Sequence, residues 1–467
     1  MAVEGTCGIE QKACGIGQHG VMGTSADPTA ESATAQLADR LARLISVPTI
    51  SLRAERDDAA FATFRSLLSE MYPLTHQHLE HELVSDGCLL FRWPGAGGPS
   101  TLLMAHYDVV PVAEEDWTRP PFGAEIDSGV IYGRGCLDDK GPLFVILEAV
   151  ESLLAEAVTP DGDVYLSFGD DEEIGGSHAT AVADLLESRG VRPDLVIDEG
   201  GAIVSGMIPA VSGQLAMIGV AEKGLANFRL TARSQAGHAS APEPNGAAVQ
   251  LARAIMRLDN RPFPVRSNPV IIEMVKTVAA RMPRWLAPVA SARLTEPLIP
   301  RILARLGGTV ATLARTTVAV TTLSGSPAAN VLANEATALL NVRIAPGETV
   351  GSTRAHLQKL LRGTGVAVDV EYGSDPIPMS PTGGASFERV KAALAQAYPD
   401  ALPVPYVMVQ ASDSRHFAKI SPNIYRFMPF AISADQLRSI HGADENLDLS
   451  SISSGVEFYR HLIAAGA

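Results

Sequence analysis

Cysteine is scarce in this sequence, which has four cysteines in 467 residues: Cys7, Cys14, Cys88 and Cys136. They are too few and too scattered for a disulfide framework, and their spacing does not match that of a zinc finger. We therefore expect a protein of a reducing compartment and assign it to the cytoplasm. Cys7 and Cys14 fall in residues 1–28, whose Gly-, Ser- and Thr-rich composition predicts a flexible tail and leaves the role of the two thiols open.

Long apolar runs and positive charge are also lacking. No run approaches the roughly 20 apolar residues needed to span a bilayer. Asp and Glu total 52 against 37 Lys and Arg, so the net charge is −15. This charge argues against nucleic acid or an anionic membrane surface as a partner. It does not exclude an anionic small substrate, because a single pocket can still be basic.

The chain is too long for one ordinary core, and its pattern predicts two domains. Strands alternate with helices in residues 29–220, which predicts a mostly parallel sheet flanked by helices. Residues 221–375 follow the order β-α-β-β-α-β, an antiparallel split βαβ layer. Residues 261–316 interrupt that layer as a helical elaboration. The α/β pattern returns in residues 376–467, so the second domain is inserted into the first.

Acidic residues are concentrated at one point, the stretch Leu166–Gly176, where Asp170 to Glu173 directly follow a buried strand. Such a group is either a solvated loop or a cation site, since crowded carboxylates repel one another and resist desolvation. Polar residues also follow other predicted strands. They are His106, Asp108, Asp138 and Asp198.

The carboxyl ends of strands meet at one edge of an open α/β sheet, so we expect these side chains to converge. Imidazole and carboxylate donors suit Zn²⁺, and also Mn²⁺ or Co²⁺. Their number exceeds the needs of one tetrahedral ion and suits two ions that share a carboxylate.

Six short motifs give the sequence a specific resemblance. They are HYD at 106–108, GRGCLDDKG at 133–141, GDDEEIGG at 169–176, DEGG at 198–201, GHAS at 237–240 and HGADE at 441–445. In this order they resemble the M20 family of di-zinc metallopeptidases, and most closely its carboxypeptidase S and N-acyl-amino-acid hydrolase (PM20D1-like) branch. The resemblance implies a zinc-peptidase-like catalytic domain with an inserted ferredoxin-like lid, and it allows a homodimer through that lid.

The same resemblance implies a set of metal ligands. His106 and Asp198 would bind one zinc ion, and Glu173 and His441 the other. Asp138 would bridge the two ions, and Asp139 would occupy a variable position.

Roles for other residues also follow from the resemblance. Glu172 would be the general base, Asp108 would orient His106, and His238 would stabilise the oxyanion within one chain or across a dimer. The candidates for binding the substrate carboxylate are Asn330, Arg343 and Arg415.

We therefore expect a metallopeptidase or metallo-amidohydrolase that cleaves dipeptides or N-acyl amino acids with a free carboxylate. Hydrolysis of a non-peptide amide or carbamoyl group on the same metals is the alternative. A binding protein of the same fold is disfavoured, because Glu172 and all five ligand positions are present. The exact substrate and the physiological metal remain open.

Overall fold

The computed structural model describes residues 28–113, 116–208, 210–242 and 244–464. The predicted tail, with Cys7 and Cys14, lies outside these residues except for Pro28.

The described strands belong to four sheets. They are β1 (Glu80–Val84), β2 (Cys88–Trp93), β3 (Gly98–His106), β4 (Glu125–Asp127), β5 (Val130–Tyr132), β6 (Gly162–Gly169), β7 (Leu195–Ser205), β8 (Gln214–Glu222), β9 (Gly224–Arg233), β10 (Gly237–His238), β11 (Thr317–Ser324), β12 (Val331–Leu332), β13 (Glu335–Ile344), β14 (Val366–Ser374), β15 (Leu402–Met408), β16 (Ile424–Ile432) and β17 (Asn446–Asp448).

Helices connect most of these strands. They are α1 (Pro28–Ile45), α2 (Asp58–Met71), α3 (Pro73–His78), α4 (Lys140–Ala155), α5 (Ser177–Ser188), α6 (Ala247–Asp259), α7 (Pro269–Val278), α8 (Ala287–Ser291), α9 (Ile299–Leu306), α10 (Gly308–Leu313), α11 (Val350–Leu360), α12 (Ala385–Ala397), α13 (Ala434–Ser439) and α14 (Leu449–Ala464). Short 3-10 helices span Glu172–Ile174, Ala279–Arg281, Arg293–Leu298 and Asp413–Lys419.

The largest sheet has the strand order β1-β2-β6-β3-β7-β16-β8-β15. Its centre, β6, β3, β7 and β16, is parallel, and β1 and β2 pair antiparallel at one edge. Both faces are buried. Along β3, Leu102 and Met104 pack with α5, whereas Leu103 and Ala105 pack in the core that contains α4. Side chains alternate across a strand, so a strand covered on both faces is apolar throughout. The predicted fold class is confirmed.

The second sheet is antiparallel, with the order β11-β13-β9-β14. Buried and partly exposed side chains alternate along β9 and β13, and the buried set packs with α6 and α11. The elements follow the predicted order β-α-β-β-α-β.

The segment 261–316, which we predict to be a helical elaboration of the second domain, contains α7 to α10 and packs partly against the largest sheet. Its buried side chains Ile271, Met274 and Ile299 join the core of the largest sheet, and α7 packs against the edge strand β15. The reason is that α7 is amphipathic and finds its apolar partner on that edge.

Two small sheets position loops that matter below. Strands β10 and β12 pair, which brings the GHAS motif beside residues 331–332. Strands β17, β5 and β4 form a three-stranded sheet. Within the described residues, no helix combines the length and the apolar character required to cross a membrane.

Candidate metal centre

Four side chains converge beyond the strand ends and form what we call the metal cluster: His106, Asp138, Glu173 and His441. The two carboxylate oxygens of Asp138 face different rings, with Oδ1 3.0 Å from Nε2 of His106 and Oδ2 3.0 Å from Nε2 of His441. Nε2 of His441 is also 3.0 Å from Oε1 of Glu173. Asp138 therefore lies between two imidazoles, the position required of a bridging ligand.

Separate elements supply these side chains. His106 ends β3, and Asp138 lies in the turn before α4. Glu173 lies in the 3-10 turn after β6, and His441 follows α13 with a positive φ of 61°. Residues this far apart in the chain meet because parallel strands end at a common edge.

Asp108 contacts two parts of the metal site and holds them in position. Its buried carboxylate accepts hydrogen bonds from the backbone N–H groups of Glu172, at 3.2 Å, and Glu173, at 3.1 Å. Oδ1 of Asp108 also lies 3.3 Å from Nδ1 of His106. One side chain thus positions both an imidazole and the acidic turn.

Glu445 is a supporting residue that the sequence interpretation did not identify. Its fully buried carboxylate accepts from the backbone N–H groups of Gly135, Leu137 and Asp138, and from Nη1 of Arg134 at 2.6 Å. It therefore ties the loop that carries His441 to the loop that carries Asp138. The HGADE motif contained this residue, but only the fold reveals its partners.

Hydrogen bonds within the metal cluster shift the pKa values of its members. Burial opposes ionisation of Asp138, but hydrogen bonds from His106 and His441 outweigh that effect and lower the pKa of Asp138. Asp138 and then Glu173 raise the pKa of His441 to about 10.

Other carboxyl groups at the site lack such compensation. Burial, followed by the Asp413 carboxylate, raises the pKa of Glu172 well above its usual range. Burial and then Asp138 do the same for the pKa of Glu199. Burial also raises the pKa of Asp139 well above its usual range, and Oδ1 of Asp139 is buried without a hydrogen-bond partner. Buried acids short of cationic partners, with two imidazoles among them, fit divalent metal ions that prefer nitrogen and oxygen donors.

Among the described residues, three sets of three side chains place ligand atoms within 4.8 Å of one another. Two lie at this site, His106, Asp138 and Glu173, and His106, Asp139 and Glu199, and the third is Asp170, Asp171 and His178. Asp198, the ligand implied by the resemblance, is in none of them. Its Oδ2 instead accepts from the backbone N–H of Ser414 at 2.8 Å. Glu199 reaches toward the cluster, with Oε1 3.9 Å from Nε2 of His106.

The chain bends at Gly200, where φ is +133° and a Cβ would lie 2.3 Å from Sδ of Met408. Glycine adopts this positive φ readily. The regular alternation of side chains between the two faces of β7 is interrupted at this residue. For that reason the DEGG motif alone does not show which of its two acids, Asp198 or Glu199, faces the metal cluster.

A second acidic group, the Asp170 cluster (Asp170, Asp171 and His178), lies close by in the chain. Oδ2 of Asp170 is 2.8 Å from Nη2 of Arg56, and its Oδ1 is 2.6 Å from Nδ1 of His178. Asp171 accepts from the Ser177 hydroxyl and from the backbone N–H of His178. Asp170 and Asp171 therefore have their hydrogen-bond and ion-pair partners within the protein.

The candidate residues of the inserted domain, His238 and Asn330, belong to two segments that are hydrogen-bonded to each other. His238 is exposed, and its Nδ1 accepts from the backbone N–H of Ser240 at 3.2 Å. The N–H of Ala239 donates to the carbonyl oxygen of Asn330 at 3.0 Å. Within the described part of the chain, no hydrogen bond or ion pair joins His238 to the metal cluster.

Arg343 and Arg415 lie near each other and near Glu222. Arg415 donates to the carbonyl oxygens of Ser412, at 2.9 Å, and Gly175, at 3.1 Å. Arg343 differs, because its Nη1 is buried and has no hydrogen-bond partner within the part of the chain that the structure describes. Burial lowers the pKa of Arg343, an effect that Glu222 opposes and Arg415 increases. The surroundings of Arg343 therefore combine an acidic group, Glu222, with a second guanidinium, that of Arg415.

Residues 102–465 match the model of the peptidase family M20/M25/M40. A probable carboxypeptidase S-like 2 from Dictyostelium discoideum is 32% identical over 441 residues, which cover 92% of this chain and 84% of that protein. The human N-fatty-acyl-amino acid synthase/hydrolase PM20D1 is 33% identical over 430 residues, with 90% and 85% covered.

Solved structures show the same fold. The M20 metallo-carboxypeptidase Sso-CP2 from Sulfolobus solfataricus superimposes with a TM-score of 0.68 and 19% identity, covering 92% of this chain and 98% of the other. YXEP from Bacillus subtilis, described as a dinuclear metal-binding peptidase, superimposes with a TM-score of 0.57 and 13% identity, covering 93% and 98%.

Proposed function

Because the chain belongs to the peptidase family M20/M25/M40 and is a hydrolase, we propose that it cleaves the amide bond of N-acyl amino acids or dipeptides that carry a free carboxylate. The observation that carries this proposal is the position of Asp138 between His106 and His441, with the acidic turn of Glu172 and Glu173 held beside them by Asp108. The similarity to the human N-fatty-acyl-amino acid enzyme favours N-acyl amino acids as the first class to test.

The donors support two zinc ions, with Mn²⁺ or Co²⁺ as alternatives. Asp138 would be shared, Glu173 and His441 would hold one ion, and His106 would hold the other. Asp198 and Glu199 are the two candidates for the remaining carboxylate of the His106 ion. When bound, such ions supply Lewis acidity, which polarises a carbonyl and favours ionisation of water.

Glu172 is suited to move the proton. The Asp108 carboxylate fixes the backbone of its turn, and the next residue of that turn, Glu173, lies in the metal cluster. Glu172 takes a proton from the attacking water, whose oxygen forms a bond to the amide carbon. It then delivers that proton to the nitrogen as the C–N bond breaks, leaving an amine and a carboxylic acid, which loses its remaining proton at neutral pH.

We assign recognition of the substrate carboxylate mainly to Arg343, a residue of the inserted domain. The unpartnered Nη1 of Arg343 supports a direct contact with the substrate carboxylate, whereas Arg415 already donates to two backbone carbonyls and shapes the turn. His238 would reach the oxyanion by lid movement or from a partner subunit in a homodimer. Asn330, which lies beside the His238 segment, would approach with it and stays a candidate for the substrate carboxylate.

A substrate screen with the metal controlled tests the function. The metal-free protein is loaded separately with zinc, manganese or cobalt, and N-acyl amino acids, dipeptides and N-carbamoyl amino acids are compared by product release. We expect hydrolysis of N-acyl amino acids or dipeptides with at least one metal. Hydrolysis of carbamoyl compounds alone, or of nothing with any metal, would contradict the proposal.

A further inference from the structure

The segment 285–306 exposes an unusual amount of apolar surface. Trp285 is 76% exposed, Leu294 is 92% exposed and Leu306 is 67% exposed. The exposed large apolar side chains of this segment are Trp285, Val289, Leu294, Leu298, Ile302 and Leu306. Single exposed apolar residues are ordinary, but a concentration within one short segment marks an interaction surface.

The charge of the same region is opposite to that of the chain. Residues 281–306 contain five arginines and one glutamate, which gives +4, whereas the whole chain carries −15. The one glutamate, Glu296, already pairs with Lys276. Four arginines of this region are exposed and form no ion pair with a carboxylate of the residues that the structure describes; they are Arg284, Arg293, Arg301 and Arg305.

Helix α9 shows how the two properties are combined. Ile299 is buried and Leu303 packs against the core of the largest sheet. Arg301, Ile302, Arg305 and Leu306 are exposed. At about 100° per residue these four side chains span an arc of about 140° opposite the core. Basic and apolar groups therefore share the outward face.

The exposed face is firmly attached to the protein. The buried side chains of α7 and α9 lie in the core of the largest sheet, and Nη2 of Arg281 donates to the carbonyl oxygen of Asp400 at 2.8 Å. Exposure here is thus a property of packed helices, and their outer surface has no partner among the described residues.

We propose that the segment of residues 284–306, which we call the basic apolar patch, docks on an anionic lipid surface through its exposed arginines and apolar side chains. Tryptophan and aliphatic side chains enter the interface between headgroups and acyl chains, while arginines contact the lipid phosphates. The argument from the net charge of the whole chain fails here, because only charges within about a Debye length of the membrane act on it. This inference does not depend on the substrate proposed above.

Co-sedimentation of the full chain with vesicles tests the proposal. We expect binding to vesicles of phosphatidylcholine mixed with phosphatidylglycerol, weaker binding as sodium chloride is raised, and little binding to phosphatidylcholine alone. Trp285→Ser and Leu294→Ser should each weaken binding by about tenfold. Arg284→Gln and Arg293→Gln should each weaken it by about fivefold, and only on anionic vesicles.

Matched controls separate the patch from general surface effects. Leu323→Ser removes another exposed apolar side chain, 67% exposed on β11, and Arg362→Gln removes an exposed arginine outside the segment. Both should bind vesicles like the parent. All variants should keep the thermal unfolding midpoint of the parent, which excludes loss of folding as the cause.

Three results would overturn the proposal. The first is that the parent binds neither vesicle type. The second is that it binds both types equally, with no effect of salt or of Trp285→Ser. Concentration-dependent dimerisation that Trp285→Ser and Leu294→Ser abolish, without vesicle binding, would instead show that a second copy of the chain covers the patch.

Discussion

The metal cluster and the Asp170 cluster both combine acidic residues with histidine, and Asp170 and Asp171 lie close to Glu173 in the chain, yet the surroundings of the two clusters differ. Asp170 pairs with Arg56 and His178, and Asp171 accepts from Ser177 and a backbone N–H group. In the metal cluster, the side-chain partners of Asp138 among the described residues are two imidazoles. Glu172 and Glu199, beside that cluster, are largely withdrawn from solvent and lie among other carboxylates. The comparison teaches that a group of acids and histidines indicates a cation only where the protein supplies too little positive charge itself.

The strongest test of this comparison is a matched pair of substitutions. Asp138→Asn should lower bound metal and reduce hydrolysis by more than about a thousandfold, because it weakens a shared ligand. Asp170→Asn should keep both metal and activity within a few-fold of the parent. Metal content by mass spectrometry and kcat/KM measure the outcome. Equal losses of metal in the two variants would remove the distinction between the clusters.

Glu172→Gln sharpens the assignment inside the metal cluster. The amide cannot accept a proton from water, so kcat should fall by about a thousandfold while bound metal stays unchanged. Glu172 also differs from Asp170 in having no arginine within ion-pair distance among the described residues. Activity within a few-fold of the parent would exclude Glu172 as the base.

Glu445→Gln tests support from outside the cluster. The amide weakens the interaction with Arg134 and the backbone N–H groups that position Asp138. Metal affinity should fall by about tenfold, and excess metal should restore most of kcat. Calorimetric titration of the metal-free variant measures the affinity. A fall in kcat that excess metal does not restore would argue against a positioning role.

The pH dependence of metal binding gives a further contrast. Asp138 and Glu173 raise the pKa of His441 to about 10, so the metal-free ring holds a proton at neutral pH. A metal requires the neutral ring, so binding releases that proton, and affinity should rise with pH by about tenfold per unit below about pH 10. Calorimetry in buffers of different ionisation enthalpy should report at least one released proton, and the same number in Asp170→Asn. Absence of proton release would contradict the protonated ring.

The smallest expected effect concerns stability. Asp170→Asn leaves Arg56, which is 22% exposed, without its buried carboxylate partner. It should lower the free energy of unfolding by about 2 kcal/mol, measured by urea denaturation. Asp58→Asn, at the exposed partner of the same arginine, is the control and should change it by less than about 0.5 kcal/mol. A loss that metal addition reverses would show that Asp170 belongs to the metal site.

Much of the architecture could be predicted because it depends on periodicity along the chain. The order β-α-β-β-α-β predicted for residues 221–375 is present in the structure, because apolar residues recur there with the periods of strands and helices. The packing of α7 on β15 could not be predicted, since an amphipathic helix does not specify which apolar surface it covers.

The sequence by itself determined the residue types at each strand end, and six ordered motifs placed His106, Asp138, Glu173 and His441 in one proposed site. Only the tertiary structure decided which carboxylates are satisfied and which are not. The structure pairs Asp170 with Arg56 and joins Glu445 to the loop that carries Asp138. It also places Glu199, next to Gly200 in β7, on the side of His106. The physical reason is that a carboxylate's need for a cation depends on burial and on neighbours within a few ångströms, and these come from distant parts of the chain.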